Sequence, residues 1–162
     1  MGGREKTTSF RSVEVFDSRA PQRGWRMSQR LQMPTGMSEH CSVVVPGPTG
    51  KEVVVTGGRG RGNRAMKLSL ATNKWYSLHH LGQRRRRHAC TKVRINGRQG
   101  LVVSGGASPA SPNMTSVEFF DISTGQWFEL PPLQRGRRSH AMVVEDGRLM
   151  VTGGMQVIKM EG

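Results

Sequence analysis

The segment "VVVTGG" at 53–58 returns as "LVVSGG" at 101–106 and as "LMVTGG" at 149–154, so the glycine pairs stand 48 residues apart both times. A β-branched or aliphatic run that closes on two glycines at a constant interval is the trace of a supersecondary unit stacked on copies of itself. The first copy continues into "RGRGNR", which by itself also reads as a phosphate-cradling loop or an RGG-like tract. Neither of those has a reason to recur with the same apolar approach.

Other markers keep the register. Trp25, Trp75 and Trp127 follow at intervals of 50 and 52, and His40, His88 and His140 at 48 and 52. Alternating segments, "SVEVFD" at 12–17, "AMKLSL" at 65–70 and "SVEFFD" at 116–121, lie between the repeat markers and read as period-2 strands with one apolar face. Each unit is then a strand opening at the His, a turn, a second strand ending in Gly-Gly, a loop, a third alternating strand, a short turn and a fourth strand opening with Trp. Four short strands in about 50 residues describe one propeller blade. The 21 glycines and the scarcity of aromatics agree with a turn-rich all-β chain.

These features resemble the kelch-repeat family: apolar runs before Gly-Gly, Val-Glu-x-Phe-Asp at 13–17 and 117–121, the downstream tryptophans, and Arg-x-x-His at Arg137 to His140. Ser69 departs from the pattern, standing where the other copies have Asp17 and Asp121. The expected fold is an all-β, incomplete kelch-type propeller of about three blades, each a four-stranded antiparallel sheet. The expected parts are the second half of a blade at 1–35, full blades at 36–80 and 81–133, and the first part of a blade at 134–162. Closed propellers have about four to eight blades, so the expectation is a portion of a longer propeller.

Structural roles are expected for the repeat markers. Gly57, Gly58, Gly105, Gly106, Gly153 and Gly154 end the second strands where the backbone turns with positive φ and a neighbouring strand comes close. The indoles of Trp25, Trp75 and Trp127 are expected as wedges between blades.

Charge carries the functional expectation. In a blade of alternating strand direction, the loop after the second strand and the link into the next blade emerge at the same end. Arg59, Arg61 and Arg64 fall in the first such loop; Arg84, Arg85, Arg86, Arg87, Arg135, Arg137 and Arg138 fall in blade-to-blade links, with Arg30 beside them. These arginines make up most of the formal net charge of +14. Guanidinium forks gathered at one end steer and grip carboxylates or phosphates. The family resemblance implies a noncatalytic protein-binding platform, in some members a substrate receptor of ubiquitin ligases holding acidic peptides through arginines on this end. The expected partner is therefore an acidic protein or peptide. The competing reading is RNA or another polyanion, weakened by the lack of aromatic stacking platforms beside "GGRGRGNR".

An enzyme, a metal or another cofactor is not expected. His79 and His80 with His88 lack ligand spacing and a carboxylate companion, and Asp17, Glu118 and Asp121 read as turn and cross-strand partners. Cys41 and Cys90 offer no disulfide framework and sit at opposite parity relative to their histidines, so their side chains are expected on opposite sides. No apolar run is long enough for a membrane helix, and no secretory leader pattern opens the chain. A cytoplasmic location is the resulting expectation.

Overall fold

The computed structural model describes residues 8–60 and 62–157. Apart from one 3-10 turn at Pro21–Arg23, the regular structure is all strand: β1 (Glu14–Val15), β2 (Arg26–Met27), β3 (Cys41–Gly47), β4 (Gly50–Thr56), β5 (Ala65–Ser69), β6 (Lys74–Ser77), β7 (Ala89–Ile95), β8 (Arg98–Ser104), β9 (Val117–Asp121), β10 (Gln126–Leu130), β11 (Ala141–Glu145) and β12 (Arg148–Thr152). They form two complete antiparallel blades, β3-β4-β5-β6 and β7-β8-β9-β10, flanked by the two-stranded sheets β1-β2 and β11-β12. This is an incomplete propeller, as the sequence led us to expect.

Turn chemistry sets the strand pairing. Asn96-Gly97 and Asp146-Gly147 take positive φ at both positions, 49° and 79° in the first and 48° and 72° in the second, which is the two-residue hairpin geometry that matches strand twist. Pairing then begins at Ile95 with Arg98 and at Glu145 with Arg148. At the β9–β10 turn the Asp121 carboxylate accepts hydrogen bonds from the Ser123 amide and hydroxyl, at 2.8 and 2.6 Å. Ser69 accepts from the Thr72 amide at the matching turn, so a hydroxyl there does part of what the carboxylate does.

The cores lie between sheets. Leu101, Val103 and Phe120 face back onto Val45 and Val54 of the preceding blade, while Val102 and Phe119 face forward onto Met142 of β11. Alternation along each strand supplies both contacts, because successive side chains leave opposite faces. The Trp127 ring lies 5.0 Å from Phe120 and its Nε1–H donates to the carbonyl of His79 in the preceding link. Trp75 donates likewise to the carbonyl of Leu31. Trp25, by contrast, is exposed and touches Phe16.

The expectation that Cys41 and Cys90 form no disulfide is overturned, while their side chains do leave opposite faces of their sheets. Cys41 of β3 and Cys90 of β7 are joined in a disulfide across the innermost strands of the two blades, with Cα atoms 6.0 Å apart. Opposite parity is what permits this. The forward face of one blade meets the backward face of the next, so side chains on opposite faces of adjacent sheets point at one another.

Candidate interaction face

The links and the loops after the second strands are laced together at one end of the blades. Gly58 donates its amide to the carbonyl of Arg85, Gly106 to that of Arg137, and Arg85 to that of Gly62. All six repeat glycines have positive φ. At Gly57 a Cβ would strike the His88 ring and the Arg85 carbonyl, and at Gly106 it would press on the Arg86 carbonyl and the His88 Cβ. Each link therefore threads between two glycine corners, and a side chain at either would push it away.

This lacing sorts the arginines. Arg59, Arg84 and Arg135 are exposed, and Arg64 is half-buried. Arg61 lies outside the described residues. Arg86 and Arg87 both reach Glu39, Arg86 Nη1 to Oε2 at 2.9 Å and Arg87 Nη2 to Oε1 at 2.7 Å. Partial burial alone would raise the Glu39 carboxyl, but the two guanidiniums override it and hold its pKa below the ordinary value. Arg137 and Arg138 donate to the carbonyls of Gly153 and Pro112, which ties them to backbone and leaves them half-buried.

Arg85 does not belong to an accessible set. It is 1% exposed and its guanidinium donates to the carbonyls of Gly105 and Ser116, to Ser116 Oγ, and to Glu118 Oε1 at 2.6 Å. The sequence placed it in a basic link correctly, but the side chain turns inward under the blade. A clue was present in the spacing: Arg85 stands three residues before His88, as Arg137 stands before His140. In the preceding blade the equivalents of Arg85 and Glu118 are Met37 and Met66, which sit in one apolar cluster. The site is thus filled either by an ion pair or by two thioethers.

Between the first link and the loop after β4, Met37, Gly57, Arg59 and Arg64 border an open cleft of about 400 Å³. Arg59, Arg84 and Arg86 border a smaller neighbouring one beside Ala107. Arg59 and Arg84 thus flank concavities rather than a flat surface. His79 donates Nδ1–H to the carbonyl of Gly125, and His88 is buried, so the three histidines at 79, 80 and 88 are not assembled. Among the described residues no three His, Cys, Asp or Glu side chains gather as metal ligands, and no helix is long and apolar enough to cross a membrane.

No family model matches the sequence. Two curated proteins are similar to it: an F-box/kelch-repeat protein of Arabidopsis thaliana, 26% identical over 65% of this chain, and Kelch-like protein 26 of Homo sapiens, 25% identical over 95% of it. The chain spans about a quarter of the length of these relatives, 23% and 25% respectively. The diglycine, indole and imidazole register, the four-stranded blades and these relatives together make the chain similar to kelch-repeat proteins.

Proposed function

We propose that this chain is a noncatalytic protein-interaction module that binds an acidic segment of a partner protein at its arginine-rich end, as the recognition part of a larger assembly. The observation that carries the reading is the pair of exposed cations Arg59 and Arg84 at the two clefts, with half-buried Arg64 and Arg86 lining them; half-buried Arg87 and exposed Arg135 lie in the links. Arg61 belongs to the same loop by sequence. Arg85 drops out of the contact set because its donors are consumed inside. Guanidiniums tethered at one side but open at the other are held in place for a carboxylate at little entropic cost. Cytoplasmic residence remains part of the proposal, and the Cys41–Cys90 link weighs against it, since thiols are kept reduced there.

Fluorescence anisotropy with a labelled Asp/Glu-rich peptide tests the reading. Wild-type protein should bind it, and Arg59→Glu with Arg84→Glu should weaken binding at least tenfold without changing the thermal midpoint by more than a few degrees. Equal affinity for a charge-neutral peptide would overturn it. Tighter binding to single-stranded RNA, falling steeply between 50 and 200 mM salt, would favour the polyanion reading instead.

A further inference from the structure

Glu39 is the one carboxylate that the sequence places in the links and loops of the arginine-rich end, residues 28–40, 57–64, 78–88, 105–116 and 131–140. Its two oxygens are divided between two of the arginines there. Oε2 accepts from Arg86 Nη1 at 2.9 Å, and Oε1 accepts from Arg87 Nε and Nη2 at 2.9 and 2.7 Å. We infer that Glu39 is an autoinhibitory carboxylate: it occupies, on Arg86 and Arg87, the place that an acidic side chain of the partner takes, and partner binding displaces it. This rests on the reading that an acidic segment docks at this end.

The two arginines are positioned by backbone rather than by Glu39. Arg86 exchanges both of its backbone hydrogen bonds with Ala107, and Arg87 donates its amide to the Glu39 carbonyl and accepts from the Ser139 amide. The Cys41–Cys90 disulfide fastens the same two stretches of chain just beyond. Both guanidiniums therefore stay in this part of the face when the carboxylate leaves. Glu39, Arg87 and Ser139 each stand one residue before a repeat histidine and share a left-handed backbone, with φ of 58°, 55° and 54°. One corner thus carries an acid, a base and a hydroxyl in turn, so its geometry makes no demand for a carboxylate.

The smaller cleft shows what Glu39 withholds. Its wall includes Arg59, Arg84, Arg85 and Arg86. Arg59 and Arg84 are exposed, Arg85 is spent on Glu118, and Arg86 is spent on Glu39. The two pairs differ in kind. The Arg85 and Glu118 side chains are 0% and 4% exposed, and opening such a pair strands a charge in the interior. Arg86, Arg87 and Glu39 keep 37%, 39% and 18% of their side-chain surface in contact with solvent, and ion pairs that face water are weak. A ligand carboxylate offers Arg86 and Arg87 the same charge-assisted bonds that Glu39 does, so the exchange is open to it at the Glu39 pair and closed at the Glu118 pair.

Fluorescence anisotropy of the whole chain with the labelled Asp/Glu-rich peptide tests this at about 150 mM salt, where the Debye length is about 8 Å. Glu39→Gln, with native circular dichroism, should bind about fivefold more tightly than wild type, the upper range for an exposed ion pair. Glu39→Ser, which copies the corner residue Ser139, should gain at least as much. In a chain carrying Arg86→Gln and Arg87→Gln, adding Glu39→Gln should change affinity by less than about twofold, because the groups it frees are gone. A Glu39→Gln chain that binds no more tightly than a binding wild type overturns the inference and leaves the docking reading in place. A gain that persists without Arg86 and Arg87 also overturns it, since only the loss of a negative charge is then felt. Binding by Glu39→Gln with none by wild type supports it as complete autoinhibition. No binding by either chain, or equal affinity for a charge-neutral peptide, overturns the docking reading and the inference together.

Discussion

His88 of one blade hydrogen-bonds Thr56 of the blade before it, Nε2 to Oγ1 at 2.9 Å, with its ring laid against Gly57. The hydroxyl is fully buried and the imidazole nearly so. His140 and Ser104 repeat the contact one blade later. The recurrence of Gly-Gly and His at one period has a single cause here: the ring of each blade occupies the space that the previous blade's missing Cβ leaves open.

Acid should therefore unfold the protein earlier than its carboxylates alone would. Burial pushes His88 down to about 3, with the Arg85 charge and the other two histidines adding to it, and burial lowers His40 and His140 too. A base whose pKa is depressed on folding contributes fully above the unfolded value near 6.5. That contribution is lost as pH falls from there toward about 3, because the unfolded chain takes the proton first. Unfolding free energies from urea titrations should hold above about pH 6.5 and fall by about 1.4 kcal/mol per pH unit from there to pH 4 for His88 alone, and His88→Gln should flatten that slope. A stability constant between pH 7 and 5 would contradict this.

Gly57→Ala should cost about 3 kcal/mol or more, combining a left-handed backbone with a clash against the His88 ring. Gly97→Ala keeps only the backbone strain, since its φ is 79° and a Cβ there would meet nothing within 4 Å. A loss of about 1 to 2 kcal/mol is expected for it. Thermal denaturation of both variants checks the order.

Replacing Arg85 by Ala strands the Glu118 carboxylate and should cost about 3–5 kcal/mol. The pair Arg85→Met with Glu118→Met should regain most of that, since Met37 and Met66 fill the equivalent site in the neighbouring blade. Chemical denaturation of the two single variants and the double variant measures the coupling, and strictly additive losses would refute it.

Reducing the Cys41–Cys90 link, which closes a sequence separation of 49, should lower stability by up to about 4 kcal/mol on the chain-entropy estimate. Cys41→Ser with Cys90→Ser should match the reduced protein and lose its response to reductant. Thiol titration of the unreduced, denatured chain should find the two cysteines blocked.

Much of the fold was legible because the determinants are local and repeated. Apolar runs ending at Gly57, Gly105 and Gly153 became β4, β8 and the end of β12, and the alternating segments became β1, β5 and β9. The basic end was legible only as chain position. Arg84 and Arg85 are neighbours in sequence, yet one is exposed and the other is 1% exposed, because Glu118, 33 residues later, waits under the blade for one guanidinium. Cysteine parity misled for a related reason: sidedness within a strand says nothing until the facing sheet is known.

The amino-acid order by itself determined the strands, their turns and their grouping into blades, since alternation, Asn-Gly and Asp-Gly corners and the diglycine act within a few residues. Only the tertiary structure decided which arginines meet solvent and where the sulfurs meet. Those outcomes depend on contacts between sheets far apart along the chain, and burial in such a contact converts a surface cation into part of the core.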